Sequence, residues 1–125
     1  MVFDTDVLIW VFRGNVKAAG RIEESRERSL SVVTLMELFQ GAGSKREIRL
    51  IKSFLEDFGF RTLPLTENIG HRAAVYMEQY AMKSGIRVAD ALIAATAVEN
   101  NLSLLSGDNR HYKALGDLDF IAFRP

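Results

Sequence analysis

The chain has 125 residues, 48% of them apolar, enough to bury a substantial core within the size expected of one domain, 1–125. Sixteen basic residues balance sixteen acidic ones, so the protein does not hold a polyanion by overall charge, and any positive surface must be local. It has no cysteine, which removes disulfides, thiolate metal ligands and cysteine nucleophiles and fits a cytoplasmic setting.

Val2 and Phe3 read as the end of a buried strand that runs from residue 1 to Asp4. Thr5 to Arg13 follows as a first helix, and Gly14-Asn15 breaks it. The opening residues lack a basic n-region and carry Asp4 and Asp6 within their apolar run, a poor match to a signal peptide. Val16 to Arg28 is a charged second helix with Ala18, Ala19 and Ile22 on its inner face, and Ser29 to Val33 is a short second strand. Thr34 to Gln40 is helical and is closed by Gly41 and Gly43. Ser44 opens the next helix, where Ile48, Ile51, Phe54, Leu55 and Phe58 recur at helical spacing up to Gly59. Phe60 to Leu65 is a third strand, and Pro64 places it at an edge or marks its end.

Thr66 caps a long helix that reaches Ser84 and stops at Gly85. Val88 to Asn100 is alanine-rich and apolar on nearly every face, which predicts a buried helix. Leu102 to Leu105 is a fourth strand, Ser106 to Asn109 a turn, Tyr112 to Leu115 a helical turn and Phe120 to Phe123 a last strand. No apolar run approaches the length of a membrane span. Strands and helices alternate throughout, which predicts a three-layer α/β/α sandwich around a parallel-rich sheet.

The chemistry lies with the acids. Asp4 follows strand one and Asp108 follows strand four, so both belong to the carboxyl edge, where open α/β sheets bind ligands. Glu37 falls in the first turn of the helix after strand two. Asp90 is the only charge between Arg87 and Glu99, and a carboxylate in so apolar a segment calls for a partner or a metal. Each acid taken alone also has a local reading. Asp4 and Asp6 suit N-caps, Thr34-x-x-Glu37 and Ser44-x-x-Glu47 suit capping boxes, Asp90 suits the positive end of a helix dipole, and Asp108 suits a turn. Together they form a set of carboxylates that would stay partly protonated unless a cation held them, and Mg²⁺ or Mn²⁺ takes such oxygen ligands.

Four stretches, Phe3-Asp4-Thr5-Asp6-Val7-Leu8-Ile9, Val33-Thr34-Leu35-Met36-Glu37-Leu38 with Gly41, Ala89-Asp90 through Ala97, and Leu105-Ser106-Gly107-Asp108, stand in an order and spacing that resemble the PIN-domain ribonucleases, especially the VapC-type toxins of toxin–antitoxin pairs. The resemblance spans essentially the whole chain, and the first and third stretches are its most specific parts. It implies that Asp4, Glu37, Asp90 and Asp108 form the catalytic quartet, with Asp6 at a further ligand position where the family often has Asn. Thr5 and Ser106 match hydroxyl positions lining the site. The resemblance further implies Mg²⁺- or Mn²⁺-dependent endonucleolytic cleavage of RNA, a homodimer, and a cognate VapB-type antitoxin that masks the site.

Arg13, Lys45, Arg46, Arg87, Arg110 and Lys113 are candidate phosphate contacts, with Arg87 and Arg110 nearest the acids in sequence. His111 reads first as a surface histidine, with substrate contact as the alternative, and Trp10 as a candidate for a partner-binding groove. Two other classes compete. Asp4-Thr5-Asp6 also resembles the opening motif of haloacid-dehalogenase-type phosphatases, in which the first acid is a nucleophile, but Asn109, Arg110, His111 and Tyr112 supply no further acid after Asp108. A catalytically silent binding domain of the same fold is the third reading, against which four retained acids weigh.

Overall fold

The computed structural model describes residues 1–125. Its strands are β1 (Val2–Phe3), β2 (Arg28–Ser31), β3 (Phe60–Leu63), β4 (Leu104–Ser106) and β5 (Phe120–Ala122). Its helices are α1 (Thr5–Phe12), α2 (Val16–Glu24), α3 (Val32–Gln40), α4 (Lys45–Asp57), α5 (Glu67–Ser84), α6 (Val88–Glu99) and α7 (Asn109–Tyr112). The strands form one sheet in the order β3-β2-β1-β4-β5, parallel at every pairing.

Alternation of side chains along the strands divides the core into two layers. Val2 and Leu104 point to one face, where they meet Ile69, Ala73 and Tyr76 of α5 and Ile93, Ala94 and Ala97 of α6. Phe3 and Leu105, one residue on in each strand, point to the other face and meet Val7 and Leu8 of α1, Ala18 and Ile22 of α2 and Leu55 of α4. Helix α3 reaches both layers, with Val33 in the first and Leu38 in the second. The expected α/β/α sandwich is therefore present, and no helix is long and apolar enough to cross a membrane.

Several boundaries differ from the sequence reading. Helix α2 ends at Glu24 rather than Arg28. Ser25 closes it with a hydroxyl that donates to Arg21 O, and the Arg28 guanidinium reaches back from β2 to Ile22 O and Ser25 O. The charged run therefore serves as a cap rather than another helical turn. Ser31 caps α3, its Oγ accepting from Val33 N at 3.0 Å, so the strand stops two residues early and the helix begins at Val32. Glu37 consequently sits in the second turn of α3, and Thr34 is a buried residue within the helix rather than its cap.

Strand β3 stops at Leu63, before Pro64, and it is an edge strand, as the proline predicts. Strand β4 is displaced to Leu104–Ser106, and β5 ends at Ala122. The last helix starts at Asn109, earlier than its apolar residues suggest, because Asp108 caps it by accepting from His111 N. Helices α5 and α6 match their expected spans closely; Thr66 caps α5, and Gly85 ends it with a positive φ of 71° that favours glycine.

Candidate metal centre

The strand order places β1 beside β4, with β2 and β3 on one side of β1 and β5 beyond β4. This is the point at which successive strands switch direction across the sheet, the usual location of a ligand crevice in an open α/β fold. Asp4 leaves the end of β1, while Gly107 and Asp108 leave the end of β4. The two chain ends are tied together by backbone and side chain. Asp4 N donates to Leu105 O at 2.9 Å. Ser106 Oγ, fully buried, donates to Asp4 Oδ2 at 2.6 Å and accepts from Asp108 N at 3.0 Å. Asp4 Oδ1 accepts from Thr5 N at 2.8 Å, so this residue is both the cap of α1 and part of the acidic cluster.

Asp6, in the first turn of α1, accepts from Gly107 N through Oδ2 at 2.9 Å. A Cβ at Gly107 would stand 2.7 Å from that carboxylate oxygen, so glycine is required for this approach. Asp6 Oδ1 is the only buried side-chain polar atom without a hydrogen-bond partner. Asp90, at the third position of α6, accepts from Arg87 N at 3.3 Å through Oδ2 and from the Tyr112 hydroxyl at 3.4 Å through Oδ1. Asp108 Oδ2 lies 2.6 Å from His111 Nδ1, which is also 3.6 Å from Asp90 Oδ2. Potential ligand atoms of Asp90, Asp108 and His111 lie within 4.8 Å of one another. Glu37 is held from below: Thr5 Oγ1 donates to its Oε1 at 2.6 Å and stands 3.1 Å from the buried Thr34 Oγ1.

Burial and mutual repulsion disfavour charge in this cluster. Burial, followed by the neighbouring Asp6 charge, pushes Asp4 up to about 7, against the opposing hydrogen bonds from Ser106 and Thr5. Asp6 is raised as well, chiefly by burial, with the Gly107 N–H acting in the other direction and Asp108 adding to the rise. No lysine or arginine pairs with any of these acids, and His111 is the only basic side chain within 4.0 Å of them. An orphaned, buried carboxylate oxygen, three clustered donors and a cluster without a fixed cation are the features expected where oxygen-ligated Mg²⁺ or Mn²⁺ binds. The residues therefore fit such an ion.

The structure brings Asp4, Asp6, Asp90, Asp108, Thr5 and Ser106 together and sets Glu37 against Thr5. Arg87 and Arg110 are exposed, and neither guanidinium pairs with a site acid. His111 is inside the cluster rather than on a bland surface; its i, i+3 spacing from Asp108 on a capped turn was the available signal. Tyr112 and Thr34 were also missed as site neighbours. Trp10 is half-buried beneath Arg13, whose guanidinium stands 5.8 Å from the ring, and its neighbours Ile9, Phe12 and Arg13 line the adjacent groove instead.

Comparison with known proteins accords with this geometry. The family model described as the PIN domain matches residues 1–116. No curated protein sequence matches the chain. Among solved structures, a toxin–antitoxin complex from Klebsiella pneumoniae is 23% identical, with a TM-score of 0.82 over 97% of this chain and 95% of that one. VapBC-1 from nontypeable Haemophilus influenzae is 25% identical, with a TM-score of 0.81 over 98% of each chain. VapBC2 from Rickettsia felis, bound to a DNA fragment from its promoter, is 16% identical, with a TM-score of 0.82 over 99% of this chain and 100% of that one.

Proposed function

The chain belongs to the PIN-domain family, and from that premise we propose that it is a divalent-metal-dependent endoribonuclease, the toxin of a VapBC-type pair. The observation that carries this reading is the convergence of Asp4, Asp6, Asp90 and Asp108 at the β1–β4 edge with no lysine or arginine to neutralise them. Asp4, Asp90 and Asp108 would hold Mg²⁺ or Mn²⁺, directly or through waters, with Asp6 Oδ1 available as a further donor. The bound ion supplies Lewis-acid polarisation of the phosphoryl oxygen and lowers the pKa of water.

Glu37, fixed by Thr5, orients the water that attacks phosphorus in line. The bond from phosphorus to O3′ breaks, leaving 5′-phosphate and 3′-hydroxyl ends. Thr5 and Ser106 keep the acids in register, and Arg87 and Arg110, both exposed, are the side chains assigned to backbone phosphates in this reading. The phosphatase alternative has no support from the family match.

An antitoxin partner is part of the proposal because the similar structures are toxin–antitoxin complexes. A groove of about 870 Å³ beside Glu37, lined by Ile9, Phe12, Leu50, Ile51 and Phe54, offers that partner an apolar seat. A homodimer and a cytoplasmic setting complete the proposal; a molecular mass of one chain in solution would remove the dimer from it.

The test is cleavage of total cellular RNA by the partner-free chain with Mg²⁺, Mn²⁺ or EDTA, alongside Asp90→Asn. Discrete fragments that disappear with EDTA and in the variant are expected. Intact RNA in every sample, from folded protein that binds the ion, would reject the activity and send the material to a phosphomonoester assay.

A further inference from the structure

Tyr112 is the largest fully buried side chain of the protein. Its ring packs in the α5–α6 layer, 6.1 Å from Phe120, a place that phenylalanine would fill equally well. The hydroxyl is what distinguishes the residue, and a buried hydroxyl is costly unless it makes a hydrogen bond. It approaches the acidic centre from beneath, 3.4 Å from Asp90 Oδ1. The phenol is an O–H donor facing a carboxylate that, while charged, can only accept.

This donor divides the labour within Asp90. Oδ1 faces the hydroxyl, while Oδ2 is the oxygen on the side of His111 and Asp108. We propose that Tyr112 is a positioning residue of the metal centre, whose hydroxyl holds Asp90 Oδ1 and thereby presents Oδ2 to the cation. The inference rests on the metal-dependent reading above. Groups that orient a metal's carboxylate or imidazole ligands typically contribute about 10- to 100-fold to metal affinity.

The experiment is calorimetric titration of Tyr112→Phe and the unchanged chain with Mn²⁺ alone, without RNA, together with thermal unfolding of both in EDTA. The variant is expected to bind Mn²⁺ about tenfold more weakly or worse, with an unfolding midpoint in EDTA within about 3 °C of the parent. Cleavage should then recover its parental kcat at raised Mn²⁺, a rescue that lost packing would not allow. Equal Mn²⁺ affinity in the two proteins overturns the positioning role alone. So does a midpoint in EDTA lowered by about 8 °C or more, which would make the hydroxyl a bond of the fold. Absence of Mn²⁺ binding by the unchanged chain would overturn the nuclease reading and this inference with it.

Discussion

The molecule contains two clusters of acids, and they solve the problem of like charge in opposite ways. On the outer side of α5 and α6, Arg72 donates to Glu99 and, at 2.7 Å, to Asp117, while the Tyr76 hydroxyl donates to both Asp117 oxygens at 2.9 and 3.0 Å. The charge there is balanced by a residue of the chain itself. At the carboxyl edge of the sheet, Asp4, Asp6, Asp90 and Asp108 have backbone N–H groups, hydroxyls and one histidine, but no fixed cation. Both clusters place a buried tyrosine hydroxyl against a carboxylate, and only one adds an arginine. The difference separates acids that fasten the fold from acids kept ready for a cation from outside.

The most severe way to break the unbalanced cluster is Asp90→Asn. Cleavage should fall about a thousandfold or more, roughly 4 kcal/mol of transition-state stabilisation, with the folded protein retained by circular dichroism. Rates within tenfold of the parent would remove Asp90 from the metal set.

Proton linkage offers a second test of nearly the same size. Burial pushes Asp4 up to about 7 in the folded protein, above the ordinary carboxylate range, so the proton is held more tightly when folded. Its stabilising contribution is complete below about pH 4, falls as the pH rises toward 7, and levels off above that. The whole span is on the order of 4 kcal/mol. Urea unfolding in EDTA should show this loss with rising pH, and Asp4→Asn should reduce it to the part contributed by Asp6, which is raised in the same direction. Millimolar Mg²⁺ should reverse it at pH 8 by binding the folded state. A parent and variant with parallel pH profiles would mean that Asp4 is not held in this way.

Gly107→Ala sharpens the comparison further. The new Cβ would meet Asp6 Oδ2 at 2.7 Å and Phe123 O at 3.4 Å, displacing the Asp6 carboxylate from Gly107 N. We expect a loss of about 1–3 kcal/mol in stability and weaker Mn²⁺ binding in the same calorimetric titration. Unchanged values for both would show that the loop adjusts freely.

The smallest effect belongs to the balanced cluster. Arg72→Met should cost about 1 kcal/mol, since the pair is partly exposed, and should leave Mn²⁺ affinity untouched. A change in metal affinity would reveal that the two clusters are coupled through α6.

Much of this was legible in the sequence because the signals are local. The turn at Gly85 and the cap at Thr66 each depend on a few neighbouring residues, and both lie where expected. The reading failed where a distant group completes a local pattern. Arg28 caps α2 from the next strand, Ser31 takes the capping role that Thr34 seemed to hold in the sequence, and His111 joins Asp108 only because α7 begins at Asn109. Arg87 and Arg110, chosen for nearness along the chain, are exposed and make no ion pair with the acids.

The sequence by itself determined the alternation of strands and helices, the buried character of α6, and the acids at the carboxyl ends of β1 and β4. These follow from side-chain periodicity and turn chemistry, which act over a few residues. The tertiary structure alone decided that β1 and β4 are neighbours, that Ser106 bridges Asp4 to Asp108, and that Tyr112 lies beneath Asp90. Strand order and interlayer packing are set by contacts about a hundred residues apart, and no local pattern encodes which of several equally parallel edges will meet.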